Sequence, residues 1–113
     1  MTLEQEGAMH CKSPEDLLFN DLDEISTKMW LKTLQPQPAE GWDKTVTYCG
    51  WRKVTSGYLV CDNDQIIPAP MQHELAALAG SIVETYDAGH MPMLSMPDKV
   101  AEVIVNAAVR AAE

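Results

Sequence analysis

The sequence of 113 residues predicts an α/β fold with two parallel strands and flanking helices, and three observations lead to this class. A short apolar run, residues 58–61, stops at a polar, turn-forming cluster, as a buried strand does where it ends in a loop. A second apolar run, residues 82–86, follows after a helical pattern, and the chain closes with a long amphipathic helix. The order strand, helix, strand, helix implies parallel strands joined by a right-handed crossover.

The segment before the first of these strands is expected to be mostly helical. Residues 1–12 show no periodicity and are predicted to be a disordered lead. Ser13 is expected to cap a short helix, because a proline follows it at the first helical position. Asp21 or Asp23 is expected to cap a second helix that runs to about Leu34, where a proline-rich stretch stops it. Residues 13–52 are therefore predicted to form one mostly helical segment, called the cap-like segment below for a resemblance that is given at the end of this subsection.

Residues 53–113 are predicted to form the strand-helix-strand-helix core. The helix after Pro68 is expected to end at Gly80 in the left-handed conformation. Its apolar positions are Met71, Leu75 and Leu78. Ser95 and Asp98 have a spacing similar to a capping box at the start of the last helix. The last helix carries an apolar stripe at three-and-four spacing, made of Val100, Val103, Ile104, Ala107, Ala108 and Ala111.

A sheet of only two strands is marginal in water, and parallel sheets are normally covered on both faces. We therefore expect something to cover the exposed strand edge: the N-terminal segment, a second copy of the chain, or a partner chain.

The composition narrows the classes of partner. The chain has 8 basic and 17 acidic residues, a net charge of −9, which argues against nucleic acid or an anionic membrane as a partner. Three cysteines, Cys11, Cys49 and Cys61, have no paired spacing, so we expect reduced thiols, no metal, and a cytoplasmic location. The acidic first residues are not typical of a signal peptide, and no apolar run approaches the length that spans a membrane.

Polar residues that follow the two predicted strands are candidates for chemistry. Asp62 and Asp64 come after the first strand, and His90 comes after the second. In open α/β sheets, catalytic groups collect beyond the carboxyl ends of the strands, where an Asp can fix the tautomer of a His that acts as general base. Alternatively, Asp64 caps the next helix or only lies in a solvated loop, and Asp62 is the rival carboxylate. We assign no role to His10 or His73.

Two segments, residues 58–68 and 87–97, resemble the last third of an α/β-hydrolase. The nearest subgroup holds the plant methylesterases and hydroxynitrile lyases with their microbial esterase-like relatives. The resemblance covers roughly residues 14–112 and includes Phe19-Asn-Asp-Leu22 and Val46-Thr-Tyr-Cys-Gly-Trp-Arg52. It implies that Asp64 is the acid and His90 the base of a catalytic triad.

The resemblance also implies that residues 14–50 form a cap over an active site. Four aromatic and apolar side chains of this region would line or back an acyl pocket, or would only pack the cap: Trp42, Val46, Tyr48 and Trp51.

The family's nucleophile lies on a Gly-x-Ser-x-Gly turn, and no such turn occurs in this sequence. None of the five serines has a glycine two residues before and two residues after it: Ser13, Ser26, Ser56, Ser81 and Ser95. The resemblance therefore implies a C-terminal fragment of a carboxylic ester hydrolase that is nearly inactive alone and needs no cofactor. Its partners would be a small ester or related carbonyl substrate, once completed by another chain, and a second copy or a full-length hydrolase.

Two other functions stay open from the sequence. The chain could be a non-catalytic binding or interaction module derived from a hydrolase. It could also be a small lyase or isomerase in which His90 removes a proton from a C–H bond.

Overall fold

A computed structural model describes residues 7–113 and, for residues 2–5, the backbone. Over these residues the strands form one sheet of three and one sheet of two. The strands are β1 (Thr2–Gln5), β2 (Ala8–Cys11), β3 (Gln37–Pro38), β4 (Gly57–Cys61) and β5 (Ile82–Tyr86). The helices are α1 (Pro14–Leu17), α2 (Glu24–Leu31), α3 (Ala69–Ala79), α4 (Pro92–Ser95) and α5 (Pro97–Ala112). A 3-10 turn covers Gly50–Lys53.

The N-terminal sheet replaces the irregular lead that we predicted. Strand β1 pairs antiparallel with β2, and β2 pairs antiparallel with β3. Gly7 lies between the first two strands at φ 78°, a conformation that glycine adopts without steric cost. The expectation of disorder was wrong for the strand residues, and for Met1 and Glu6 it lies outside the described residues. The division of the chain into a lead, a cap-like segment and a core stays a prediction.

Two helices follow the hairpin, and their starts differ from each other. Ser13 precedes α1 with φ 51° and makes no side-chain capping bond, so its predicted capping role is wrong. Asp23, not Asp21, caps α2: its Oδ1 accepts a hydrogen bond of 2.7 Å from the Ser26 amide. The helix ends at Leu31 and tightens into a turn before the prolines, instead of running on to Leu34.

The core sheet is the parallel pair that the sequence predicts. Strands β4 and β5 run in register from Gly57 opposite Ile82 to Cys61 opposite Tyr86. Helix α3 joins them and ends at Gly80, which takes the left-handed conformation at φ 68°. The two strands and their flanking helices give the α/β class that we expected.

The buried face of α3 is not the one that the apolar pattern predicts. Met71, Leu75 and Leu78 are exposed, whereas Gln72 and Ala76 are buried. A small side chain at Ala76 lets the helix backbone approach the sheet closely, and large side chains would hold it away. In the described part of the chain, the larger apolar residues of this helix face solvent.

Helix α5 packs through part of its predicted stripe. Val100, Val103 and Ala107 are half-buried, whereas Ile104 is 63% exposed. Ala108 and Ala111 are exposed as well, so the predicted stripe is wider than the contact.

The start of α5 also differs from the prediction. Met96 precedes the helix and makes no side-chain capping bond, so the capping box expected at Ser95 and Asp98 is not formed. Ser95 instead ends the single turn α4. Among the described residues, no helix combines the length and the hydropathy that crossing a bilayer requires.

Candidate functional site

The side chains of Asp64 and His90 meet beyond the carboxyl ends of β4 and β5. The His90 Nδ1 atom lies 2.9 Å from the Asp64 Oδ2 atom. The Asp64 side chain is 7% exposed and the imidazole 28% exposed, so the acid is enclosed and the base reaches solvent. Asp62 is exposed, and only its backbone amide takes part in this region, through a bond to the Tyr86 carbonyl. The prediction that Asp64, and not Asp62, pairs with His90 is confirmed.

The loop after β4 fixes the orientation of Asp64. Its second oxygen, Oδ1, accepts hydrogen bonds from the amides of Ile66 at 2.8 Å and Ile67 at 3.2 Å. A short acidic side chain that accepts from the backbone two and three residues ahead stabilises a turn. Asp64 therefore holds the turn before α3 and binds His90 at the same time. It does not cap α3, because Pro68 precedes that helix and its start has no side-chain capping bond.

The loop that carries His90 is tied to the loop that carries Asp64. The Asn63 amide donates to the Ala88 carbonyl at 2.9 Å, and the Asn63 side chain donates to the Asp87 carboxylate. These bonds join the residue directly before Asp64 to the residues two and three positions before His90. The relative position of the two loops is thus set by the backbone.

Two residues of the cap-like segment also contact these loops. The Asn20 side chain donates to the Asn63 carbonyl at 2.8 Å, and the Gly89 amide donates to the Asp21 carboxylate at 2.8 Å. We considered Asp21 only as a helix cap and assigned no role to Asn20. The signal that points to them is the Phe19-Asn-Asp-Leu22 segment, which belongs to the resemblance described above.

Gln72 closes the outer edge of β4 next to the site. Its side-chain oxygen accepts from the Cys61 amide at 2.9 Å, and its nitrogen donates to the Cys61 carbonyl at 2.9 Å and the Ile67 carbonyl at 2.8 Å. The side chain is almost fully buried, so these bonds compensate the burial of a polar amide. The Gln72 amide thereby makes the hydrogen bonds to Cys61 that a neighbouring strand would otherwise make.

The Cys61 thiol and the Tyr58 hydroxyl, near the Asp64–His90 pair, remain protonated at neutral pH. Burial raises the pKa of the Cys61 thiol, and the carboxylates of Asp64, Asp21 and Asp62 raise it further. Burial and the charge of Asp64 also raise the pKa of the Tyr58 hydroxyl. Because the thiolate is the reactive form of cysteine, Cys61 is not an activated nucleophile here.

In the described part of the chain, no serine hydroxyl is hydrogen-bonded to His90. The hydroxyls of Ser56 and Ser81 lie 2.7 Å from each other, at the amino ends of β4 and β5. That end is about 15 Å from the pair, the length of a strand of this size. The described residues also contain no cluster of three or more His, Cys, Asp or Glu side chains that could hold a metal ion.

A cavity of 550 Å³ lies between the cap-like segment, the hairpin and His90. Its apolar lining residues are Met9, Leu18, Leu34, Trp42, Ile66 and Met91. Trp42 is 65% exposed, and its ring nitrogen donates to the Pro38 carbonyl at 2.7 Å. Val46, Tyr48 and Trp51 do not line this cavity and do not pack the segment either, since all three are exposed. Of the four residues that we expected to line or back an acyl pocket, only Trp42 lines this cavity.

A second, more open hollow of 360 Å³ lies along the outer edge of β4. It also reaches His90, and Gly57, Leu59 and Cys61 line it from the strand. No residue of the cap-like segment lines it. Among the described residues, the N-terminal segment therefore does not cover this edge, although that was one of the three covers that we expected.

Several known proteins are similar in sequence to this chain. A protein named alpha/beta hydrolase nvfD, from Aspergillus novofumigatus, is 33% identical over 101 residues, which are 87% of this chain and 40% of that protein. A protein named norfluorocurarine synthase 2, from a Strychnos species, is 36% identical over 58 residues, 50% of this chain and 22% of that protein. Its namesake from Strychnos nux-vomica is 34% identical over 61 residues, 52% of this chain and 23% of that protein.

The chain spans 40% or less of the length of these relatives. The family model described as "Alpha/beta hydrolase family" matches residues 3–103, which is nearly the whole chain. On this match, the chain belongs to the alpha/beta hydrolase family.

Proposed function

We propose that this chain supplies the acid and the base of a carboxylic ester hydrolase of the Ser-His-Asp type. The observation that carries the proposal is the contact of 2.9 Å between His90 Nδ1 and Asp64 Oδ2 at the ends of neighbouring strands. With the carboxylate on Nδ1, the ring is held as the tautomer that protonates this nitrogen. The other nitrogen, Nε2, is then free to accept a proton from a nucleophile.

Each step of the reaction assigns one task to these residues. A serine hydroxyl attacks the ester carbonyl while His90 Nε2 takes its proton, and His90 then gives that proton to the leaving alcohol. Water then attacks the acyl-enzyme in the same way, with His90 Nε2 taking a proton from the water and returning it to the serine oxygen as the carboxylic acid leaves. Asp64 stabilises the imidazolium that forms in between. The two hydrogen bonds that its carboxylate accepts from backbone amides keep it in place while the imidazole gains and loses its charge.

The cavity supports a substrate with a neutral, apolar part. Its lining has thioether, aliphatic and aromatic side chains, with amides at Gln35 and Gln37 and the imidazole of His90. A charged acyl or alcohol group would lose its hydration there without gaining a counter-charge. We therefore propose small, uncharged esters or related carbonyl compounds as substrates.

The serine and the oxyanion donors must come from residues outside this sequence. We propose that they belong to a longer protein or to another chain, and that these 113 residues alone are nearly inactive. A cytoplasmic location stays a prediction that rests on the spacing of the three cysteines.

Complementation tests this function. The chain is co-expressed with the N-terminal part of a full-length relative that carries a Gly-x-Ser-x-Gly turn, and hydrolysis of a short aryl ester is measured. We expect background turnover from the chain alone, and turnover sensitive to a serine-directed phosphonate from the assembled pair. His90→Ala should abolish the gained activity, whereas the control His73→Ala, on the exposed side of α3, should leave it intact.

Two outcomes would contradict the proposal. A complex that forms, labels with the phosphonate and still hydrolyses no ester would exclude the esterase. Turnover by the chain alone, at about 1 per second or more, would show that an external nucleophile is not needed.

A non-catalytic interaction module remains the second candidate, because the exposed apolar surface of the cap-like segment favours it. Val46 is 75% exposed and Tyr48 64% exposed, in a region where the family resemblance implies a covered pocket. This candidate predicts a stable complex in the same experiment without phosphonate labelling. The lyase or isomerase that stayed open from the sequence is tested in the same assay with an elimination substrate, on which His90 would act as a base on a C–H bond.

A further inference from the structure

We propose that the Asn20–Asp21 turn is a positioning device for the Asp64–His90 pair, because each of its two side chains holds one of the loops that carry the pair. The inference rests on the proposed function for its catalytic meaning, although its geometry stands apart from it. Neither Asn20 nor Asp21 is hydrogen-bonded to Asp64 or His90, and both act through the neighbouring backbone.

Asp21 holds the loop of His90. Its Oδ2 atom accepts the hydrogen bond of 2.8 Å from the Gly89 amide, one residue before the base. The approach leaves no room for a larger residue. A Cβ atom on Gly89 would overlap Asn20 Oδ1, and it would lie 2.8 Å from Asp21 Oδ1. Gly89 has no positive φ angle, so the contact with the turn, and not the backbone conformation, requires glycine here.

Asn20 holds the loop of Asp64. Its side-chain nitrogen donates to the Asn63 carbonyl at 2.8 Å, one residue before the acid. The Asn63 amide in turn donates to the Ala88 carbonyl in the other loop. The turn and the two loops therefore form a closed set of contacts, with at least one hydrogen bond between each two of the three segments.

The turn itself is anchored in the core. Leu18 and Phe19 directly precede it, and they are 8% and 3% exposed. The Phe19 carbonyl accepts from the Leu22 amide at 3.0 Å, which closes the turn around Asn20 and Asp21. Because the turn is fixed, its side chains can hold the two loops in place, whereas a mobile loop with the same side chains could not.

The arrangement couples the cap-like segment to the pair. Leu18 lines the 550 Å³ cavity two residues before Asn20, and His90 lines the same cavity from the other side. A displacement of the segment would move the cavity wall and both loops together. The turn therefore keeps His90 Nε2 aligned with whatever occupies the cavity.

The test follows the imidazole and not only the activity. In the full 113-residue chain, ¹⁵N shifts of His90 report its tautomer, and amide exchange of Gly89 reports the bond to Asp21. We expect Asp21→Ala to speed exchange at Gly89 by about tenfold, as loss of one hydrogen bond to a charged acceptor does, and to convert a single Nδ1–H tautomer into a mixture. Asp21→Asn keeps an acceptor oxygen and should preserve both signals.

Asn20→Ala tests the second contact. The residue is exposed, so its loss should leave the fold intact and speed amide exchange at Ile66 and Ile67, which bind Asp64. Asp43→Ala, an exposed carboxylate in the same segment, is the matched control and should change neither signal. If Asp21→Ala does not fold, Asn20→Ala decides the question: faster exchange at Ile66 and Ile67 supports the positioning role, and unchanged exchange there overturns it.

Unchanged His90 shifts and unchanged exchange in folded Asp21→Ala and Asn20→Ala would overturn the positioning role. Failure of ester hydrolysis in the complementation experiment, with these signals as expected, would overturn the proposed function and leave the positioning role standing.

Discussion

Gln72 shows how one polar side chain can complete a sheet. All three of its hydrogen bonds run to backbone groups that an additional strand or water would otherwise satisfy. The apolar pattern of α3 conceals this role, because Gln72 stands beside the larger Met71 in the sequence. Its importance comes from its burial and not from its size.

We expect Gln72→Glu to lower the free energy of unfolding by about 3 kcal/mol, because a carboxylate cannot donate to the two carbonyls and its charge is buried without a partner. Urea unfolding followed by circular dichroism measures the change. Gln35→Glu, an exposed glutamine, is the control and should lower the stability by less than about 0.5 kcal/mol. Equal effects of both substitutions would show that Gln72 has no structural role.

The position of the pair beyond the strand ends was predictable from local pattern, the choice of Asp64 over Asp62 rested on the family resemblance, and the supports of the pair were not predicted. Asp64 and His90 each follow an apolar run with β propensity, so their placement follows from the direction of two strands. Asp21 is 68 positions from Gly89 in the chain, and no periodicity links two residues across such a distance. Contacts of this kind need the tertiary structure before they can be recognised.

Among the elements, α2 depends most clearly on a single charge. Hydrogen bonds from the Ser26 backbone and side chain lower the pKa of the Asp23 carboxyl below its ordinary value of 3.8. A carboxyl whose pKa is lower in the folded state stabilises that state in full above the unfolded pKa, and the contribution disappears as the pH falls through the folded value. The start of α2 should therefore weaken in acid.

We expect amide exchange at Ser26, corrected for its intrinsic pH dependence, to lose protection as the pH falls below 3.8. Asp23→Asn keeps the acceptor without the charge and should remove this pH dependence. Because Glu24 forms an ion pair with Lys28 in the same helix, both chains should carry Glu24→Gln, which removes that ion pair. A pH profile that is identical in both chains would contradict the assignment to Asp23.

Helix α3 illustrates where pattern alone misleads. Periodicity identifies an apolar face, but it does not identify what that face packs against. In the described residues, the face with Met71, Leu75 and Leu78 has no partner, and the sheet takes the side with the smaller Ala76. The hairpin of β1 and β2 was missed for a related reason, since its four-residue strands gain support from β3, which is remote in sequence.

The whole molecule has more surface than a compact monomer of its size. Its accessible surface is 8223 Å², whereas a folded monomer of 12.5 kDa is expected to expose about 6200 Å². Its radius of gyration is 16.0 Å, against about 13 Å for a compact domain of this length. The excess surface of about 2000 Å² is larger than the roughly 800 Å² that each partner buries in a standard interface.

We propose that the isolated chain associates with a second copy and is not a stable monomer at high concentration. Sedimentation over a wide concentration range should show a weight-average mass that rises with concentration. Leu78→Lys, at a side chain 78% exposed on α3, should weaken the association, and Ala77→Lys is the matched control on another side of that helix. A single compact monomer at every concentration would contradict the proposal.

The hydrogen bonds of Gln72 decide which part of the outer edge of β4 can pair with another strand. Ser56 and Asp62 face β5 through their backbone groups, so Gly57, Leu59 and Cys61 direct theirs to the opposite side. Gln72 takes both backbone groups of Cys61. On this edge of β4, only the backbone groups of Gly57 and Leu59 are left to pair with an additional strand. Any chain that extends this sheet must turn away before it reaches Cys61. The entrance to His90 is thereby protected from being closed by the same strand that would complete the fold.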